Sequence, residues 1–109
     1  MNIKNLLQLA VEKKASDLHL TVGLYPALRI DGSLVTLDKK EILNKKNIEE
    51  MIFPMLNENQ KKVFLTTRDL DFGYSLDNKA RFRVNLHYER GNVGLAARVV
   101  NEKMPSLEK

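Results

Sequence analysis

The chain has 109 residues, 43% of them apolar and 29% charged, with a formal charge of +4. That length suits one compact domain, which buries roughly 65% of the surface its unfolded chain exposes, enough for one core but not for a core plus a deep substrate cavity. The lack of cysteine excludes disulfides and thiolate metal sites, and the positive excess is spread as +1 over residues 1–37, +2 over 38–68 and +1 over 69–109, without a basic tail, which argues against a nucleic-acid partner.

Residues 2–14 predict an amphipathic helix capped by Asn2, with Ile3, Leu6, Leu7, Ala10 and Val11 on one stripe and Lys13 and Lys14 at its C-terminal end. Gln8 and Glu12 interrupt its apolar run, so the segment is neither a signal peptide nor a membrane span, and a reducing cytosol is the expected home. Residues 17–22 alternate, with Leu18, Leu20 and Val22 opposite Asp17, His19 and Thr21. A second strand is expected around 27–30, and Asp31-Gly32 signals a hairpin into a third near 34–37.

Residues 44–56 read as helical, with Ile48, Met51, Ile52 and Met55 on one side and Pro54 set to kink or end the helix. Asn57 and Gln60 are placed to cap another helix, with Val63 and Phe64 as its core contacts. Three strands follow, over 70–76, 80–88 and 93–99, each with apolar residues on alternate positions. Their register can be derived, because apolar residues of neighbouring strands must share a face and a one-residue slip inverts every side chain. A loop of Asp77-Asn78-Lys79 sets Tyr74 against Phe82, and an Arg90-Gly91 loop, or a four-residue loop of the same register, sets Leu86 against Leu95 and Phe82 against Val99.

The same register puts Arg83 directly across from Arg98, with Arg81 two residues along and Asp71 facing Asn85. Like charges directly opposite cost roughly 0.2–1 kcal/mol, and three guanidiniums on one face suit a phosphate, since each offers a planar fork of donors. The alternative is a solvated face whose arginines pair with Asp69, Asp71 and Glu89. On the phosphate reading, Arg98→Gln leaves the domain as stable or slightly more so; on the alternative it loses stability.

Other chemistry is thin. His19 and His87 lie on different strands with no carboxylate at metal-ligand spacing, and read as surface or sheet-edge residues. Ser16, Ser33, Ser75 and Ser106 have no nucleophile signature, and no Gly-Lys dipeptide exists, so a P-loop is absent. The expected fragment is therefore no enzyme by itself and holds no cofactor or metal.

Residues 15–37 (ASDLHLTVGLYPALRIDGSLVTL), 52–64 (IFPMLNENQKKVF), 69–91 (DLDFGYSLDNKARFRVNLHYERG) and 95–100 (LAARVV) resemble the N-terminal domain of PilT-type ATPases, retraction motors of type IV pili. The order and spacing of ASDLHL and RFRVN are specific. Tyr25 departs from the family's usual proline, and Asn101-Glu102 from its usual Ile-Pro. The resemblance implies an α+β, PAS-like antiparallel sheet packed by helices, in the order N-terminal helix, three strands, two helices, three strands. It implies a domain over 1–100 and, over 101–109 with MPSLEK, the start of a linker to a RecA-like motor domain that this chain lacks. The parent is then a cytoplasmic homohexameric ATPase using ATP and Mg at the inner face of the membrane. Its partners are the motor domains of the same and neighbouring subunits and the pilus machinery, and the fragment alone is expected to be a monomer or weak oligomer. Arg83 and Arg98, with Arg81 beside them, are implied as contacts to the nucleotide phosphates. Rival expectations are a pilus-extension or type II secretion ATPase, a free-standing PAS-like sensor, and a protein-interaction module.

Overall fold

Asn2 stops the first turn of helix α1 (Ile3–Glu12) from fraying: its side-chain oxygen accepts from the backbone N–H of Lys4 at 2.7 Å and of Asn5 at 3.4 Å, a cap worth about 1 kcal/mol. Ile3, Leu6, Leu7 and Ala10, the expected stripe, are buried. The computed structural model describes residues 2–38, 40–77 and 80–102. Met1, Lys39, Asn78, Lys79 and the expected linker residues 103–109 lie outside them.

After α1 come strands β1 (Asp17–Leu20), β2 (Ala27–Ile30) and β3 (Ser33–Thr36). β1 is two residues shorter than the alternation suggested. Asp31 and Gly32 both take positive φ, at 50° and 81°, as a two-residue hairpin turn requires. Helix α2 (Lys45–Ile52) buries Ile48, Met51 and Ile52, and its N-terminus carries a reciprocal capping box between Asn44 and Asn47. Pro54 ends it as expected, converting the chain to a short 3₁₀ turn over Phe53–Met55. Helix α3 (Glu58–Thr67) opens on the Asn57–Gln60 capping box, with bonds of 2.7 and 3.0 Å. Phe64 is its one buried residue. Val63, expected in the core, is 38% exposed, because one turn of contact with the sheet admits only the Phe64 position. Arg68 then caps α3 in the left-handed region and lays its guanidinium 5.0 Å from the centre of the Tyr88 ring.

Strands β4 (Asp69–Leu76), β5 (Ala80–Glu89) and β6 (Asn92–Glu102) complete one antiparallel sheet in the order β3-β2-β1-β6-β5-β4. The expected pairings hold: Tyr74 with Phe82, Phe72 with Val84, Leu86 with Leu95 and Phe82 with Val99. The β5–β6 turn is the two-residue Arg90-Gly91 version. A β-bulge between Arg81 and Phe82 shifts the far end of this pair, so that Arg81 faces Asn101 instead of Val100. The inward residues of β1, β2, β5 and β6 join those of the three helices in a single core, including Leu18, Leu20, Leu28, Phe82, Val84, Leu86 and Leu95. The fold is α+β, with helices on one face and the other face left polar. No helix among the described residues is long and apolar enough to cross a membrane.

Gly94 is needed for close approach. A Cβ there would come within 2.7 Å of His87 Nε2 and 3.3 Å of the Leu20 carbonyl oxygen. Gly94→Ala is expected to destabilise the fold by about 1 kcal/mol, the low end of overpacking costs, measured by urea denaturation. An unchanged midpoint would show that the His87 ring swings aside freely.

Candidate functional site

The polar face is organised by register. Arg83 on β5 stands opposite Arg98 on β6, as expected, and both are exposed. Partners across an antiparallel pair sit about 4.5–5.5 Å apart, so the two guanidiniums reach a common volume of solvent. On the other side of β6, Arg98 pairs with Asp17 of β1, and on the other side of β5, Arg83 faces Gly73 of β4, which contributes no side chain. Arg81 lies on the same face but beyond the bulge, out of line with that row.

A surface depression of about 400 Å³ is lined by Asp71, Gly73, Arg81, Arg83 and Val100, together with Phe72 and Phe82. Arg98 does not line it, because it leans the other way. Its Nε donates to Asp17 Oδ1 at 3.2 Å while its side chain remains 74% exposed. Two of the expected alternative partners, Asp69 and Asp71, are engaged elsewhere. Asn85 Nδ2 donates to Asp69 Oδ1 at 2.9 Å and to Asp71 Oδ1 at 3.1 Å, and Asn85 Oδ1 lies 2.9 Å from His87 Nδ1. With the amide so oriented, Nδ1 of His87 carries a proton and donates. Glu89 Oε1 lies 4.0 Å from His87 Nε2. Among the residues with described side chains, which stop at Val100, Arg81 and Arg83 have no carboxylate within 4 Å.

The sequence reading therefore placed Arg81, Arg83 and Arg98 on one face, and missed Asp17 and the Asn85 bridge. Both histidines stand on internal strands, β1 and β5, and not at a sheet edge; His87 is at the surface, its side chain 35% exposed, while Nε2 of His19 is buried. Among the described residues no group of His, Asp and Glu is arranged to hold a metal ion.

Asp17 changes the expected stabilities. Arg98→Gln removes a charged partner from a carboxylate that is 12% exposed, and is expected to cost about 0.5–1 kcal/mol, the loss that the sequence attached to a paired arginine, with Asp17 as the partner. Arg83→Gln removes only a repulsion with Arg98 and should leave stability unchanged or raise it by about 0.2–1 kcal/mol. Thermal unfolding of both variants checks the opposite signs, and a loss of stability in Arg83→Gln would contradict the assignment.

No family model matches the chain. Among curated proteins it is 32% identical over 108 residues to the type IV pilus ATPase PilU of Pseudomonas aeruginosa, covering 99% of this chain and 28% of that protein. It is likewise 32% identical over 108 residues to the type IV pilus retraction ATPase PilT of the same organism, covering 99% of this chain and 31% of that one. Among solved structures, the pilus retraction motor PilT with bound ADP superposes with a TM-score of 0.86 at 30% identity, over 96% of this chain and 31% of its own. The chain thus spans about three-tenths of the length of these relatives. With nearly all of its own length matched in sequence and in fold, the chain corresponds to the N-terminal domain of PilT-type ATPases.

Proposed function

We propose that the chain is the accessory domain of a type IV pilus retraction ATPase and presents Arg83 and Arg98 to the phosphates of a nucleotide held by a motor domain. The observation that carries this is the opposition of two exposed arginines, Arg83 without a carboxylate partner among the residues with described side chains and Arg98 tethered only through Nε. A face built for solvation alone would gain by pairing Arg83 as well. Arg81 stands at the rim and supplies longer-range attraction.

The chain has no Gly-Lys dipeptide and hence no P-loop of its own. ATP and Mg would be bound by a RecA-like domain of the same polypeptide or a neighbouring subunit, in a homohexamer working at the inner face of the cytoplasmic membrane. Residues 101–109 would lead toward that domain. By itself this chain would neither hydrolyse ATP nor form a stable ring, since half of each intersubunit contact would be lacking. PilT with bound ADP among the relatives supports the nucleotide part of the reading, and the names of PilT and PilU support the pilus part. The decisive experiment is ATP turnover by a full-length ATPase carrying this domain with Arg83 or Arg98 neutralised.

A further inference from the structure

The row containing the two arginines extends across five strands: Arg29, Asp17, Arg98, Arg83 and Gly73 occupy paired positions on β2, β1, β6, β5 and β4. Asp17 is the one charged residue among the described residues that is buried, at 8% exposure. Its two oxygens are divided. Oδ2 lies 3.7 Å from Arg29 Nε and accepts from Ser16 Oγ at 3.4 Å, and Oδ1 accepts from Arg98 Nε at 3.2 Å. Arg29 is itself anchored, donating from Nη1 to the carbonyl of Gly32 in the β2–β3 turn at 3.0 Å. The carboxylate is thus braced from the hairpin side before it meets Arg98.

We propose that Asp17 is a positioning residue. It grips Arg98 by Nε, so that the two terminal amino groups point outward, and it draws that guanidinium toward β1 and away from Arg83. The separation keeps room between the two cations for one phosphate group. This inference rests on the phosphate reading above. Desolvating a carboxylate is costly and is tolerated where cations are fixed beside it, as Arg29 and Arg98 are here.

The sign of the effect separates positioning from plain electrostatics. Removing a negative charge near an anion site tightens anion binding by Coulomb's law, whereas removing a positioning group weakens it. The test titrates the ¹⁵N-labelled chain with tripolyphosphate at low salt, following the arginine Nε–Hε resonances. Arg83→Gln and Arg98→Gln should each weaken binding. Asp17→Asn should weaken it by about two- to fivefold and move the Arg98 resonance, but have no weakening effect in an Arg98→Gln background. Arg98→Lys keeps the charge and the Asp17 carboxylate, yet cannot be gripped at Nε while offering two amino groups, so it should weaken binding even if Asp17→Asn fails to fold. If tripolyphosphate leaves the Arg83 and Arg98 resonances unmoved, or binds the two Gln variants as tightly as the unaltered chain, the phosphate reading falls and the positioning role with it. If those variants weaken binding while Asp17→Asn tightens it or leaves it unchanged, or Arg98→Lys binds normally, only the positioning role is overturned.

Discussion

Replacing Arg83 or Arg98 by Gln in a full-length PilT-type ATPase that carries this domain is expected to lower kcat by on the order of 10³-fold, the lower end of what an arginine reaching a transferring phosphoryl group contributes. The expectation follows from where charge develops. In phosphoryl transfer the equatorial oxygens gain negative charge, and a fixed fork of donors stabilises that state more than the ground state. KM for ATP should change much less than kcat, since a motor domain's own phosphate loop would supply most ground-state binding. Lys46→Gln, exposed on α2 behind the sheet, is the control and should leave both constants unchanged. Steady-state turnover of the three variants decides the matter: if the arginine variants and the control behave alike, the arginines are only surface charge. Thermal unfolding keeps the two effects apart, because Arg83→Gln should lose rate without losing stability.

How much of this could be seen before the fold was known depends on the range of the interaction. The β4–β5–β6 meander was legible because its apolar alternation and its two short loops each constrain the same register. That register alone delivered the Arg83–Arg98 opposition. The caps at Asn2 and Asn57 were legible for the same reason, since each is decided within four residues. The pairing of β1 with β6 was not, because it joins Asp17 to Arg98 across more than half of the chain and no turn signal links them. Asp17 accordingly read as one more outward polar residue in an alternating strand. The bulge at Val100 was also hidden: at a strand end, a second valine directly after Val99 reads as the close of the alternation and not as an extra residue. Asn85, facing Asp71 as expected, hid its second role because nothing in the alternation says that a carboxamide will bridge two carboxylates two residues apart on the edge strand.

Phe64→Ala is expected to destabilise the fold by about 3–5 kcal/mol, the range for removing a fully buried aromatic from a packed core. Phe64 is 0% exposed and is the only residue that α3 buries. Its ring stacks on Tyr88 of β5 with centroids 5.1 Å apart and planes 22° from parallel, a geometry that adds roughly 0.5–1.5 kcal/mol beyond the area buried. Val63 and Leu65, its neighbours, are 38% and 60% exposed, so their truncation should cost about 0.5 kcal/mol or less. That asymmetry is the test, because a helix held by one side chain must show it in denaturation: equal losses at positions 64 and 65 would mean that α3 packs through another face. The truncation also loosens the Tyr88 ring under Arg68, the residue that turns the chain from α3 into β4. Hydrogen exchange should therefore quicken first in α3 and β4, while the β1–β6 and β5–β6 amides around Arg98 stay protected until the sheet opens as a whole.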